Sequence, residues 1–160
     1  MTIVNHITLE GVVVRVPNEL NAPNTASATD NLKIILMTYG PQADTDTRIY
    51  QYFAIRFTKS LTDLVGSNPD LQEVLSGDNN AAIMKALLGK RLRIENGEME
   101  SGTIDFLNES GEIAFSKPVV IVYTSRFKIT GEAYPPEMEE LQYVFSNWAN
   151  GSGNGYGINP

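Results

Sequence analysis

Two stretches decide the predicted fold of this chain: Asn5-His6-Ile7-Thr8-Leu9-Glu10-Gly11 and Leu88-Gly89-Lys90-Arg91-Leu92-Arg93-Ile94-Glu95-Asn96-Gly97. Within each stretch apolar and polar residues alternate, and each stretch ends at a glycine. Alternation with a period of two is typical of a β-strand that buries one face. The two stretches therefore predict strands, the first at the start of the chain and the second in its later half.

A third strand is predicted between them, over residues 48–57. Ile49, Phe53, Ile55 and Phe57 fall on one face of this strand, and Arg48, Tyr50, Tyr52, Ala54 and Arg56 on the other. The first set is typical of a buried face, and the second is aromatic and basic. Ser60 or Thr62 then suits a helix N-cap, and helical stretches are predicted near 70–75 and 79–88, with Gly89 ending the second.

The remaining chain predicts more strands and two long polar loops. The predicted strands are 3–16, 32–39, 48–57 and 91–99, a hairpin of 103–107 with 113–115, and final pieces at 119–123 and 126–129. Gly11 suggests a bulge or bend in the first strand. Five strands with a helical insert between the third and fourth follow the order of a five-stranded OB-fold barrel. Another small β-barrel or a sandwich stays open as an alternative.

These segments resemble the single-stranded DNA-binding protein family, whose domain is an OB-fold. The family opens with Asn-x-apolar-x-Leu-x-Gly, as residues 5–11 do, and ends its central strand in an aromatic before a helix, as Phe57 does. Its fourth strand follows a glycine and reaches Ile-Glu-Gly, where this chain has Ile94-Glu95-Asn96-Gly97. The resemblance covers roughly residues 5–130.

The resemblance implies a non-enzymatic protein that coats single-stranded DNA without sequence preference in replication, repair or recombination. It also implies a homo-oligomer, a dimer or tetramer, in which first-strand edges pair across a two-fold axis, and possible replication or repair proteins as partners. The chain departs from the family pattern in its only tryptophan, Trp148, which lies beyond the barrel, in Asn96, and in a longer insert over 67–88.

Composition narrows the class of protein further. Hydrophobic residues make up 42% of the chain and charged residues 19%, which is ordinary for a globular protein. The absence of cysteine excludes disulfides and thiolate metal sites. No apolar run reaches the length of a membrane span and no secretory signal opens the chain, so a cytoplasmic protein without membrane contact is predicted.

No catalytic, cofactor or metal site is predicted. His6 is the only histidine. Asp44 and Asp46 lie two apart in a polar loop, but two carboxylates are too few for a calcium site. Neither a dinucleotide-binding glycine motif nor a phosphate-binding loop is present. The sequence therefore predicts a binding protein rather than an enzyme.

Charge divides the chain into a predicted domain, 1–130, and an acidic, Gly- and Asn-rich tail, 131–160. The net charge is −7, and all 12 Lys and Arg precede Gly131. The tail is predicted to be flexible, except for a short amphipathic helix over 136–148. Leu141, Val144, Phe145 and Trp148 form a stripe on that helix, which could dock on the barrel or on a partner. A chain ending at Thr130 is predicted to fold, because all the predicted strands lie before that point.

The candidate site is basic and aromatic, because single strands are held by rings that stack on bases and by cations that pair with phosphates. The predicted nucleic-acid-binding residues are Lys33, Tyr39, Tyr50, Tyr52, Arg56, Phe57, Arg91, Arg93, Arg126 and Lys128. The position of Phe57 at the end of the third strand favours stacking on bases, whereas the face of the strand on which it lies favours burial in the core. Phe106 and Phe115 are either exposed rings of a hairpin arm or buried contacts.

A plainer interpretation stays open beside the nucleic-acid one. Any half-buried strand needs a polar outer face, and Tyr, Arg and Lys suit such a face. The alternative function is thus a β-barrel protein-interaction or structural module that binds no nucleic acid, and the acidic balance favours it.

Overall fold

The computed structural model describes residues 6–16, 33–41, 48–75, 79–107, 110, 112–150 and 156–158. Along the chain the elements are β1 (His6–Arg15), β2 (Lys33–Pro41), β3 (Arg48–Phe57), α1 (Leu61–Gly66), α2 (Pro69–Val74), α3 (Asn80–Leu87), β4 (Lys90–Leu107), β5 (Ile113–Thr124), β6 (Phe127–Glu132), α4 (Pro135–Asn150) and β7 (Tyr156–Ile158). The predicted loop carboxylates Asp44 and Asp46 lie outside the described residues. None of the described helices is long and apolar enough to cross a membrane.

The strand pairs of the sheet form a closed circuit that begins and ends at β1. β1 pairs with β2, β2 with β3, β3 with β5, β5 with β4, and β4 with β1, so that five strands form a ring. The β3–β5 pair is parallel, and the other four pairs are antiparallel. β6 adds to β4, and β7 to β3. This mostly-β arrangement, with its helices between the third and fourth strands, is consistent with an OB-like fold.

The inner faces of the strands and the three short helices form one hydrophobic cluster, called here the inner core. It contains Val13, Ile34, Leu36, Ile55, Phe57, Leu61, Leu64, Val65, Leu71, Leu75, Ile83, Met84, Leu87, Leu92, Ile94, Val122 and Phe127. No residue of α4 belongs to it. The inner core is therefore complete without the C-terminal helix.

The short helices begin where the sequence provides caps. The Ser60 hydroxyl accepts a hydrogen bond from the Asp63 backbone N–H at 3.2 Å, so the predicted cap is confirmed, and Asn68 and Asn79 cap α2 and α3 in the same way. Gly89 follows α3 with a φ of 84°, a conformation that glycine adopts without steric cost. Its backbone N–H donates to Val13, which ties the end of this helical region to β1.

Two local predictions in the strands are wrong. β4 is one strand of 18 residues rather than two pieces, because β5 pairs with it from Glu98 to Leu107, through the polar segment that suggested a break. The register shifts of β1 lie between Ile7 and Leu9 and between Val13 and Arg15, not at Gly11. A Cβ at Gly11 would lie 2.5 Å from the Met37 carbonyl oxygen, so this glycine permits close approach of β2.

The C-terminal segment packs on the sheet through the helix that the sequence predicts. Residues 135–150 form α4, which confirms the predicted helix and extends it at both ends. Its stripe of Leu141, Val144, Phe145 and Trp148 is buried against the outer face of the sheet. The cause is apolar burial, since four large apolar side chains on one side of a helix gain free energy by leaving water.

Candidate nucleic-acid interface

The two faces of β3 separate as the alternation predicts. Phe57 is fully buried in the inner core, and its ring centroid lies 5.2 Å from that of Phe127. The core interpretation of Phe57 is therefore confirmed, and in this structure its ring is not placed to stack on a base. Tyr50, Tyr52 and Ala54 lie in the second cluster, on the outer face.

Tyrosines from β2 and β3 form adjacent rungs on this outer face. Tyr39 pairs with Tyr50 in the β2–β3 register, and Met37 pairs with Tyr52. The Tyr39 and Tyr50 ring centroids are 5.9 Å apart and tilted by 32°. The strand alternation and the antiparallel register together thus bring three predicted site residues, Tyr39, Tyr50 and Tyr52, to one surface.

Helix α4 covers this surface. The Trp148 indole stacks on the Tyr52 ring with centroids 4.4 Å apart and planes 18° from parallel, and Phe145 lies 5.7 Å from Tyr52. Tyr50 is 0% exposed and Tyr52 is 3% exposed. These two predicted nucleic-acid-binding residues are therefore not open to a base in this structure, because the helical stripe of the C-terminal segment packs on them.

This second cluster, called here the outer core, joins α4 to five strands, β1 to β5. Besides the two tyrosines and the α4 stripe, it contains Val12, Val14, Ile35, Met37, Ile104, Phe106, Val119 and Ile121 among others. Phe106 is buried there, with the Arg15 guanidinium 4.8 Å from its ring centroid, so the exposed-arm interpretation fails for this ring. The Phe115 side chain lies outside what the structure describes.

Carboxylates of α4 hold the polar edge of the same surface. The Glu137 carboxylate accepts hydrogen bonds from the Arg91 guanidinium and from the Tyr39 hydroxyl. The Tyr50 hydroxyl donates to Glu140 Oε1 at 3.3 Å. Burial, followed by the hydrogen bond to Glu137, raises the pKa of Tyr39, and the hydrogen bonds to Tyr39 and Glu137 raise the pKa of Arg91. Thus a predicted phosphate ligand, Arg91, already binds an anion of the chain itself.

Arg56 lies on the same face of β3, on the rung next to Tyr123 of β5. Its guanidinium carbon is 5.6 Å from the Tyr123 ring centroid, and both residues are partly exposed. A hydrogen bond to Glu100 is the main reason that the pKa of Tyr123 is raised. Sequence reasoning missed Tyr123, although its place in the predicted last strand was a usable signal. The Lys33 backbone pairs with Arg56, but its side chain lies outside the described part.

The remaining basic candidates lie on a different part of the surface, on β4, β6 and the turn before β6. Arg93 pairs in register with Glu10 of β1 and with Lys128 of β6. Lys128 Nζ is 3.3 Å from Glu95, and the Arg126 guanidinium is 4.0 Å from the same carboxylate. These three cations are exposed and alternate with acids, so the predicted residues whose side chains the structure describes do not form one continuous groove.

No cluster of metal-ligating side chains occurs within the described ranges. His6 Nε2 lies 3.8 Å from a carboxylate oxygen of Glu98, and both side chains are exposed. The interface is thus defined by rings, cations and α4, rather than by any arrangement typical of a metal centre.

Comparison with known proteins adds a structural likeness. No family model matches the chain, and no curated protein matches it. Among solved structures, the chain is similar to the mitochondrial single-stranded DNA-binding protein Rim1 of S. cerevisiae, with 7% sequence identity and a TM-score of 0.36. The matched region covers 82% of this chain and 100% of the Rim1 chain. At that TM-score the function has to be argued from the residues of the chain itself.

Proposed function

We propose that this chain is a non-enzymatic protein that binds single-stranded nucleic acid on the outer face of β2, β3 and β5. The observation that carries the proposal is the chemistry of that face. It holds an indole flat on Tyr52 and a carboxylate on Arg91 and Tyr39, so it accommodates both a planar ring and an anion. A single strand brings the same two kinds of group, as bases and phosphates.

Arg56 and Tyr123 extend this face beyond the part that α4 covers. A cation beside a partly exposed aromatic ring is the pairing that single-strand binders use for backbone and base. Because every base has a stacking face, the proposed binding is tolerant of sequence. The net charge of −7 opposes a polyanion overall, so the local field of Arg56, Arg91 and their neighbours has to attract the strand.

The finer parts of the proposal concern biology and assembly. We propose single-stranded DNA as the ligand, a role in replication, repair or recombination, and a cytoplasmic location. A homo-oligomer through β1 belongs to the same proposal. Among the described residues, His6–Glu10 pair with β4 on one side only, since the β1–β2 register begins at Val12. An edge of this kind is a natural site for strand pairing between protomers.

Direct binding of labelled oligo-dT and of duplex of equal length tests the proposal. We expect preference for oligo-dT, because a duplex hides the stacking faces, and a log–log salt slope of about −0.7 per phosphate neutralised. Arg56→Gln should weaken binding and reduce that slope by about 0.7. Lys59→Gln, which removes the same charge from an exposed position just after β3, is the matched control.

Two results would contradict this function: equal affinity for both forms of DNA, or no binding at about 50 mM salt, a concentration at which phosphate contacts are strong. Tyr50→Ala and Tyr52→Ala are poor probes, because both rings are buried and their truncation would destabilise the fold.

A protein-interaction or structural module is the second candidate. The burial of Tyr50 and Tyr52 beneath α4 favours it, because the aromatic face then serves as a core. Absence of oligo-dT binding both in the whole chain and in a variant with weakened α4 contacts would support this candidate.

A further inference from the structure

We propose that α4 is an intramolecular lid on the nucleic-acid face, so that α4 docking and strand binding exclude one another. This inference rests on the proposed function. It adds that the structure shows the closed form of the site, and that binding requires release of the lid.

The first observation is that α4 contributes a stacked ring. Trp148 lies nearly parallel to Tyr52, at 4.4 Å and 18°, and Lys117 Nζ lies 5.3 Å from the indole centroid. An indole between a tyrosine ring and a cation occupies the kind of position that an unpaired base would take. A base therefore cannot stack on Tyr52 while Trp148 is there.

The second observation is that α4 contributes anions to the hydrogen-bond donors of the same face. Glu137 binds Arg91 and Tyr39, and Glu140 accepts from Tyr50. The α4 segment carries Glu137, Glu139 and Glu140 and no Lys or Arg. Its carboxylates hold the donors that a phosphate would need, and they repel an approaching strand.

The third observation is that α4 can leave without dismantling the barrel. No α4 residue belongs to the inner core, which is closed by α1, α2 and α3. Only Ala133 and Tyr134 join β6 to α4, and Tyr134 is 63% exposed. The helix is therefore a separate layer: two residues join it to β6, and β7, which follows it, pairs with residues 49–51 of β3. The strand pairs that carry Tyr52 and Arg91 include no residue of α4.

The law of mass action then predicts whether a substitution tightens or weakens strand binding. When binding requires an open state, the apparent dissociation constant is the intrinsic value divided by the open fraction. A change that weakens α4 docking without touching the face raises that fraction and tightens binding. A change on the exposed side of α4 leaves the open fraction unchanged.

The experiment uses the whole chain, with Trp148 as the reporter, since it is the only tryptophan. On addition of oligo-dT we expect its emission to shift to longer wavelength and its quenching by acrylamide to increase, because the indole leaves Tyr52 for water.

Glu137→Gln should tighten oligo-dT binding by about threefold or more, because it weakens a charge-assisted contact that is partly exposed. Glu139→Gln, an equal charge change on an exposed position of α4, should tighten it less.

The outcomes separate the two proposals. If neither the whole chain nor Glu137→Gln binds oligo-dT, the proposed function fails and the lid fails with it. If the chain binds but Trp148 is unchanged or becomes better protected from acrylamide, the lid is overturned while the function stands. Equal effects of Glu137→Gln and Glu139→Gln would also overturn the lid. Should Glu137→Gln not fold, Glu140→Gln, which weakens the hydrogen bond from Tyr50 by removing the negative charge of the acceptor, is measured against the same control.

Discussion

Asn96 adopts a backbone conformation that glycine usually adopts. It has a φ of 52°, in the left-handed region. Asparagine tolerates this region better than other non-glycine residues, because its short amide side chain bonds locally. Asn96 therefore provides a left-handed position within β4 without a glycine.

At this residue we predict opposite effects of two substitutions. Asn96→Gly should leave the free energy of unfolding unchanged or raise it slightly, whereas Asn96→Ala should lower it by about 1 kcal/mol, because alanine is strained at positive φ. Urea denaturation followed by circular dichroism measures both. Greater stability of the alanine variant than of the glycine variant would show that the left-handed conformation is not maintained.

At the scale of elements, α4 and β3 stabilise one another through groups that must stay neutral. Burial, with a smaller effect from Tyr50, raises the pKa of Tyr52 far above its ordinary value near 10. The Tyr52 hydroxyl is buried and has no hydrogen-bond partner among the described residues. The pKa of Tyr39 is raised as well, by burial and by Glu137. Both groups are therefore harder to ionise while α4 is docked.

Raised folded-state pKa values give stability that is complete below the unfolded value and is lost as pH rises above it. We therefore expect α4 to undock above about pH 10, the ordinary tyrosine value. The readout is a shift of Trp148 emission to longer wavelength in a titration to alkaline pH. Tyr52→Phe removes the buried ionisable group and should move this change to higher pH, whereas Tyr143→Phe, at an exposed position of α4, should not. An identical titration of all three proteins would refute this assignment.

The whole molecule consists of a barrel core and a second core that exists only while α4 is docked. The inner core is formed by residues before Gly131, whereas the outer core needs Leu141, Val144, Phe145 and Trp148. Each such side chain contributes about 1.5–3 kcal/mol by leaving water. The outer core therefore requires α4, whereas the inner core does not.

For a chain ending at Thr130 we expect cooperative unfolding at a lowered melting temperature, together with self-association and binding of a hydrophobic dye. The inner core accounts for the first result, and the exposed outer core accounts for the others. A chain ending at Asn150 is the control, since it retains α4. If the shorter chain is soluble and melts at the original temperature, α4 is not part of the core. If it loses cooperative unfolding altogether, the inner core depends on α4.

The sequence by itself determined how the side chains of residues 48–57 divide between two faces and where the C-terminal helix lies. Alternation in residues 48–57 separated Phe57 from Tyr52, and helical spacing placed Leu141, Val144, Phe145 and Trp148 on one stripe, because both patterns follow from local backbone geometry. Only the tertiary structure decided what those faces meet. Tyr39 and Glu137 are 98 residues apart, and their contact depends on the curvature of the closed ring and the direction of the chain after β6. Periodicity defines a surface but not its partner, so only the folded chain shows Trp148 on Tyr52.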